Sequence, residues 1–339
     1  MVGNINKNST LNAPGMKMPI IGIGTWQATE AEIEIALNSA IEAGYRHIDT
    51  ALVYMNEAAI GKTLKKWFDS GKIKREELFI VTKLPPPSND PKYVEESIKL
   101  SLKDLQLDYL DLYLIHHPVG LVHEEDKNSP SGFNLLPKNS DGKVKIDVKT
   151  DHIALWKAME EQVDAGRTKA IGVSNFNVQQ IERIMKSARI LPATNQVEMY
   201  LYCQQKELQE YSKKSGVTIT AYGPLGSPGL EKFVTILGGK AEDIKNLNPL
   251  EDPVVLNIAK THNKLPSQIL LRHLLQLGVA VIPKSSYPTR IQGNYDVFNF
   301  ELTESEMSEL NALDRGKEGQ RFLVGVLTGI EDHPEYPFK

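Results

Sequence analysis

Three short stretches of the chain lead from apolar, strand-like residues onto side chains that can exchange protons. The first supplies Asp49 and then Tyr54, the second supplies Lys83, and the third supplies His116. Parallel α/β barrels collect their catalytic groups at the carboxyl ends of their strands. We therefore expect these four side chains to share one site.

Tyr54 is the candidate acid of this set. A phenol has an ordinary pKa of about 10, and a neighbouring ammonium group lowers that pKa because it favours the phenolate. Lys83 can supply the positive charge, Asp49 can hold Lys83 as an ion pair, and His116 can orient a substrate oxygen. The set suits protonation of a carbonyl oxygen that gains negative charge when hydride adds to its carbon.

Other uses of the same residue types stay open. Each residue alone has an ordinary structural role, such as helix capping for Asp49. Lys83 could form a Schiff base, as in barrel aldolases, but Tyr54 would then have no role. The stretch from 116 to 125 holds possible metal ligands, yet adjacent strand residues point to opposite faces, so no metal is expected. The possible ligands are His116, His117, His123, Glu124 and Glu125.

Strand-like and helix-like runs alternate through most of the chain, and they must position these residues. The predicted strands are Ile20–Gly24, His47–Asp49, Leu78–Lys83, Leu112–His116, Ala170–Val173, Ala193–Val197, Thr218–Tyr222 and Val279–Pro283. The predicted helices are Glu30–Ala43, Val94–Leu105, Ile153–Ala165, Val178–Ala188, Lys206–Ser215, Pro253–Thr261, Ser267–Leu277 and Glu304–Leu313.

This alternation, without a break in composition, predicts an α/β fold: a single (β/α)8 TIM barrel over residues 1–339. A doubly wound sheet is the alternative. However, Gly22 and Gly24 are followed by Gln27 where its dinucleotide fingerprint needs a third glycine.

Three segments exceed a minimal barrel. They are an insertion at 118–150, a connection at 223–251 and a tail at 315–339. The first two follow strands, so they are expected on the active face as lids or walls. Within the insertion, the turn at 139–142 and the alternating apolar residues after it predict a small hairpin.

The composition excludes several classes of protein. Of 339 residues, 41% are hydrophobic and 24% are charged, and the net charge of −4 gives no reason to expect nucleic acid. No apolar run is long enough to cross a bilayer, and the first residues lack an apolar signal core, so a cytoplasmic protein is expected. The single Cys203 suits a reducing compartment and is expected to be buried.

Several sequence blocks resemble the aldo-keto reductase superfamily closely, and the similarity covers nearly the whole chain. They are Gly22–Trp26, Gly44–Ala51, Gly172–Phe176, Asn195–Glu198, Ile282–Ser285 and Glu335–Phe338. The resemblance implies a barrel with an N-terminal hairpin and NADPH-dependent reduction of aldehydes or ketones. It also implies a catalytic tetrad of Asp49, Tyr54, Lys83 and His116, in which Tyr54 is the general acid. The family is often monomeric, and the same is expected here.

The resemblance also assigns residues to NADPH. The nicotinamide amide would meet Ser174, Asn175 and Gln196, and its ring would stack on Tyr222. The remaining cofactor positions are Thr25, Gly223, Leu225, Ser227, Lys284, Ser285, Arg290 and Asn294. The cations among them favour NADPH over NADH, because lysine and arginine suit a 2′-phosphate.

The chain departs from the family pattern at four positions. Gln27 and Gly229 replace a lysine and an aspartate that often form an ionic belt over the pyrophosphate, so fast cofactor release is expected. His117 replaces an aromatic residue and would make one pocket wall titratable. Gly293 stands where an acidic residue often reads adenine.

The substrate pocket is expected to be mainly apolar. Its predicted lining is Trp26, Val53, His117, Phe133, Leu135, Phe322, Val324, Val326 and Leu327. This favours hydrophobic aldehydes or a steroid-like ketone, such as a 3-dehydroecdysteroid. A non-catalytic NADP(H)-binding relative, regulatory or structural, is the competing class.

Overall fold

A computed structural model describes residues 5–236, 247–322 and 328–338 of the 339. The ten strands of these residues are β1 (Thr10–Ala13), β2 (Met16–Pro19), β3 (Ile23–Gly24), β4 (His47–Asp49), β5 (Phe79–Leu84), β6 (Leu110–Ile115), β7 (Thr168–Ser174), β8 (Thr194–Glu198), β9 (Thr218–Tyr222) and β10 (Ala280–Val281).

Strands β3 to β10 form one parallel sheet in chain order. Parallel bridges between Ile21 and Val281 and between Gly24 and Lys284 join the two ends of that sheet. The predicted (β/α)8 barrel is therefore confirmed. The predicted first and last strands are each longer than the observed strands, because only Ile21 of their outer residues forms a bridge, and that bridge is isolated.

The helices surround the barrel. Those of the described residues are α1 (Glu30–Ala43), α2 (Glu57–Asp69), α3 (Pro91–Leu105), α4 (His152–Asp164), α5 (Val178–Met185), α6 (Lys206–Ser215), α7 (Leu230–Ile236), α8 (Pro253–His262), α9 (Pro266–Gln276), α10 (Pro288–Tyr295) and α11 (Glu304–Asn311). Helix α1 has the predicted bounds because a capping box between Thr29 and Glu32 starts it and Gly44, at φ 108°, ends it. The sequence did not predict α2, α7 or α10.

The predicted N-terminal hairpin closes the amino end of the barrel. Strands β1 and β2 pair antiparallel, and the side chains of Met16 and Met18 are buried with Val81, Leu112 and Leu114 inside the barrel. A separate, larger buried cluster lies between the outer faces of the strands and the helices. The hairpin leaves the carboxyl end of the barrel for the site.

Of the three long segments, the insertion at 118–150 contains no helix or strand, and the described residues of the other two contain helix α7 and three 3-10 turns. The predicted hairpin in the insertion is reduced to one antiparallel bridge, between Lys138 and Val144, around the turn at 139–142. Ile146 instead bridges to Leu121, which ties the two ends of the insertion together. Cys203 is buried, as expected. No helix within the described ranges is long and apolar enough to cross a membrane.

Candidate active site

Consecutive strands deliver the four predicted proton-exchanging residues to one place. Asp49 is the last residue of β4, Lys83 lies in β5, and His116 directly follows β6. Tyr54 ends a single 3-10 turn, Leu52–Tyr54, that follows β4. All four therefore lie towards the carboxyl end of the barrel, as predicted.

Lys83 holds the centre of the cluster. Its Nζ donates to Asp49 Oδ1 at 2.6 Å, to the Thr50 carbonyl at 2.8 Å and to the Tyr54 hydroxyl at 3.5 Å. Asp49 Oδ2 accepts from Gln196 Nε2 at 2.7 Å. Both carboxylate oxygens and the ammonium group are thus satisfied, as a buried ion pair requires.

Burial determines the proton affinity of Tyr54. Burial raises its pKa above the ordinary value, and this outweighs the lowering by Lys83. The predicted net lowering is therefore wrong. Burial alone would lower the pKa of Lys83, but Asp49 and Tyr54 outweigh it and raise that pKa. The result is a protonated phenol beside a permanent positive charge.

His116 is a neutral neighbour of Tyr54. Its ring meets the Tyr54 ring edge to face, with centroids 5.8 Å apart. Burial, Lys83 and His117 hold the pKa of His116 well below its ordinary value. Its Nδ1 is buried and makes no hydrogen bond to any described residue. The imidazole therefore lies as a neutral ring against the phenol.

The predicted nicotinamide residues form a hydrogen-bonded row on the opposite strands. Asn175 donates from Nδ2 to the His116 carbonyl at 3.0 Å, and its Oδ1 accepts from the Tyr222 hydroxyl at 2.8 Å. The Ser174 hydroxyl donates to the Gln196 carbonyl at 2.8 Å. These contacts fix polar groups beside the proton-exchanging cluster.

A single cavity of about 1200 Å³ connects both groups. Asp49, Tyr54 and His116 line it, whereas Lys83 lies behind them. The predicted cofactor residues also all line it: Thr25, Ser174, Asn175, Gln196, Tyr222, Gly223, Leu225, Ser227, Lys284, Ser285, Arg290 and Asn294.

The cavity separates a charged end from an apolar end. Lys284 and Arg290 are the only lysine and arginine of the described residues that line it. Burial lowers the pKa of Lys284, although Glu32 opposes this effect. The guanidinium of Arg290 lies 4.8 Å from the centroid of the Tyr287 ring. The positive charge is therefore confined to the end formed after β10.

The apolar end of the cavity is lined by Trp26, Val53, His117, Leu135 and Phe322, which are five of the residues predicted for a substrate pocket. Phe133 does not line the cavity, because it is buried against His123 in the insertion. Val324, Val326 and Leu327 lie outside the described residues. The sequence analysis missed five further lining residues at this end, which are Leu121, Leu136, Ile330, Tyr336 and Phe338. Only the resemblance of the block Glu335–Phe338 to the family pointed to the last two.

His117 is not a titratable wall, so that expectation is wrong. Burial, with His333 and His152 nearby, lowers its pKa to about 3. Its Nδ1 accepts from the Val119 amide at 3.1 Å, which the neutral ring requires. Within the described ranges, no three histidine, cysteine or acidic side chains group as metal ligands would.

Gln27 and Gly229 face each other across the cavity. A Cβ on Gly229 would lie 3.7 Å from Gln27 Oε1. Both residues line the cavity. The two positions are thus close enough for a bridge, but their side chains cannot form an ionic one.

Comparisons with known proteins agree with this geometry. The profile of the aldo/keto reductase family matches residues 20–315. The chain is 42% identical over 332 residues to aldo-keto reductase family 1 member A1 of Gallus gallus, covering 96% of this chain and 95% of that protein. The human protein of that name is 41% identical, with 96% of each covered. The aldose reductase structure of Schistosoma japonicum superimposes with a TM-score of 0.84 at 40% identity, covering 99% of each chain. The chain belongs to the aldo/keto reductase family of oxidoreductases.

Proposed function

We propose that the protein reduces aldehydes and ketones to alcohols with NADPH, and that Tyr54 donates the proton. The observation that carries the proposal is the contact of the half-buried Tyr54 with the buried Lys83–Asp49 pair at the wall of the cavity. When bound, the nicotinamide supplies a hydride to the carbonyl carbon. The protein itself must supply the proton, stabilise the charge that remains and hold the carbonyl oxygen in place.

Each member of the tetrad has a distinct task in this proposal. The Tyr54 hydroxyl gives its proton to the carbonyl oxygen, and Lys83 stabilises the phenolate that remains. Asp49 keeps Lys83 charged and in place. His116, which is neutral and lines the cavity, holds the carbonyl oxygen near the phenol.

The cavity residues fit NADPH. The row of Ser174, Asn175 and Gln196 presents the donors and acceptors that a carboxamide needs. Gly223 has φ 60°, and a Cβ there would come within 2.7 Å of Ser227 Oγ, so the backbone at this turn requires glycine. Lys284 and Arg290 suit a phosphate, which favours NADPH over NADH.

The substrate is proposed to be uncharged and hydrophobic. The carbonyl end is formed by aromatic and aliphatic side chains, and neither lining cation of the described residues lies there. Burying a carboxylate without a partner is costly. Aliphatic or aromatic aldehydes and steroid-like ketones, such as a 3-dehydroecdysteroid, therefore suit this pocket better than acidic sugars do.

The alternatives fit less well. A Schiff base needs an accessible neutral lysine, whereas Lys83 has 0% side-chain exposure and a raised pKa. A non-catalytic relative would not need the tetrad. In this protein, however, Lys83 contacts both Asp49 and Tyr54. The Schistosoma japonicum neighbour is named an aldose reductase, which also supports carbonyl reduction.

NADPH oxidation, followed by its near-ultraviolet absorbance, tests the proposal. The substrates should include a matched pair, para-carboxybenzaldehyde and its methyl ester, together with aliphatic aldehydes, aldoses and steroid ketones. We expect the ester to have a KM at least about tenfold lower than the acid, since the acid must desolvate a carboxylate. Activity confined to aldoses would contradict the apolar pocket, and no turnover with any carbonyl would contradict the reductase.

A further inference from the structure

Arg321 in the C-terminal tail forms hydrogen bonds to the connection that follows β9. Nη1 of Arg321 donates to the carbonyl oxygen of Gly226 and, at 3.3 Å, to that of Ser227. Nη2 lies 3.4 Å from Glu231 Oε1 at the start of α7. The Arg321 residue is only 3% exposed. One buried guanidinium thus contacts three residues, Gly226, Ser227 and Glu231, of the segment from 226 to 231.

The backbone of Arg321 and Phe322 is in turn hydrogen-bonded to the barrel. Glu198, the last residue of β8, accepts from the Arg321 amide at 2.9 Å through Oε1 and from the Phe322 amide at 3.2 Å through Oε2. Glu198 is itself buried and follows Gln196 by two positions on that strand. The backbone that carries the guanidinium is therefore fixed to the sheet.

The neighbouring ring extends this contact. The Phe322 centroid lies 5.5 Å from the ring of Trp26 and 5.1 Å from that of Tyr222. Leu230 and Val234 of α7 pack against Trp26 and Phe322. The tail and the segment at 223–236 are thus packed together along one side of the cavity.

We infer that Arg321 is a positioning residue that retains the segment from 226 to 231 over the cavity and so limits the rate of cofactor release. The inference rests on the proposed binding of NADPH in this cavity. Gln27 and Gly229 cannot join the two sides by charge, whereas the guanidinium forms charge-assisted hydrogen bonds to the same segment. The tail takes the place of the missing belt, which opposes the fast release expected from the sequence.

Arg321→Met and Arg321→Lys test this inference in the full-length protein. Stopped-flow tryptophan fluorescence would give the rates at which NADPH associates and dissociates. Since Arg321→Met removes hydrogen bonds made by a charged group, we expect NADPH to dissociate from this variant at least about tenfold faster than from the wild type. Arg321→Lys should be intermediate, because lysine keeps the charge but not the planar fork. The association rate should not change.

Arg189→Met is the matched control, because Arg189 forms an exposed ion pair with Asp164 away from the cavity. A purely structural role for Arg321 would lower the melting temperature and leave the dissociation rate unaltered. Wild-type release in a folded Arg321→Met protein would overturn the inference. If that variant does not fold, wild-type release in Arg321→Lys would do the same. Failure of the wild type to bind NADPH would instead overturn the proposed function.

Discussion

Nζ of Lys83 lies 2.6 Å from Oδ1 of Asp49, and the two side chains are 0% and 3% exposed. The pair is enclosed by further hydrogen bonds, from Gln196 to the carboxylate and from the ammonium to the Thr50 carbonyl. Such a pair is stable only when both members are present, because either charge alone would be buried without compensation.

Removal of both partners should therefore destabilise the protein less than the two single removals added together. Asp49→Asn and Lys83→Met should each lower the free energy of unfolding by about 3–5 kcal/mol. The double variant should lose clearly less than the sum of the two. Urea unfolding of the four proteins measures this coupling, and strictly additive losses would show that the pair is not an energetic unit.

Tyr54→Phe should abolish most of the activity and leave cofactor binding intact. Loss of a general acid lowers kcat by about 10²–10⁴-fold. Because the pKa of Tyr54 is raised above 10.0, the wild-type reduction rate should be level through neutral pH and decline only in alkali. Steady-state kinetics and NADPH titration by fluorescence distinguish the two effects. A variant that keeps its turnover would remove Tyr54 as the acid.

The basic end of the cavity should discriminate between the two nicotinamide cofactors. Arg290→Met and Lys284→Met should each weaken NADPH binding by about tenfold or more, since a charge-assisted bond to phosphate is lost. NADH binding should hardly change. Lys99→Met, which removes an exposed ion pair with Glu95, serves as the control. Equal losses for both cofactors would place the 2′-phosphate elsewhere.

Glu57 should make stability depend on pH. Burial raises its pKa from 4.5 to about 7, although hydrogen bonds from Thr82 and Ser101 oppose this. The folded protein therefore binds the proton more tightly than the unfolded chain does. The resulting stabilisation is complete below pH 4.5 and is lost as the pH rises through about 7.

The size of this effect is about 3 kcal/mol, at 1.36 kcal/mol per pKa unit. Glu57→Gln cannot titrate, so the difference in unfolding free energy between wild type and variant should shift by that amount across the same range. Urea unfolding at several pH values measures it. A difference that is constant with pH would show that folding does not change the pKa of Glu57.

The sequence predicted the barrel because the buried strands alternate with capped helices, and it predicted the tetrad because these residues stand at strand ends. It missed α2, in which Gly61 weakens the helical pattern. The structure explains that glycine, since a Cβ would lie 2.3 Å from the Asp104 carbonyl at the contact with α3. Helix packing, which no local pattern reports, requires it.

The electrostatics were the least predictable part of the site. The sequence shows that Lys83 and Tyr54 are near each other, but not how completely water is excluded, and burial decides the direction of the Tyr54 pKa. His117 failed as a titratable residue for the same reason. The hydrogen bonds of Arg321 join parts of the chain that are about a quarter of the chain length apart. The main partners of Arg321 are backbone carbonyl oxygens. Apart from Glu231, the side chains of the segment from 226 to 231 therefore give no sign of this contact.

The side chains of Met16 and Met18, which close the amino end of the barrel, have a consequence for the supply of protons to Tyr54. These two side chains pack against Leu112 and Leu114, so the layer beneath Lys83 is mainly apolar, although the Thr220 hydroxyl lies 4.0 Å from the Met18 sulfur. Tyr54 lines the cavity on the other side. If Tyr54 gives up a proton in every turnover, the direct route for its replacement is through the cavity, from which the alcohol also departs. Reprotonation of Tyr54 and release of the alcohol then use the same opening of the cavity. A bulky alcohol that dissociates slowly would therefore delay both.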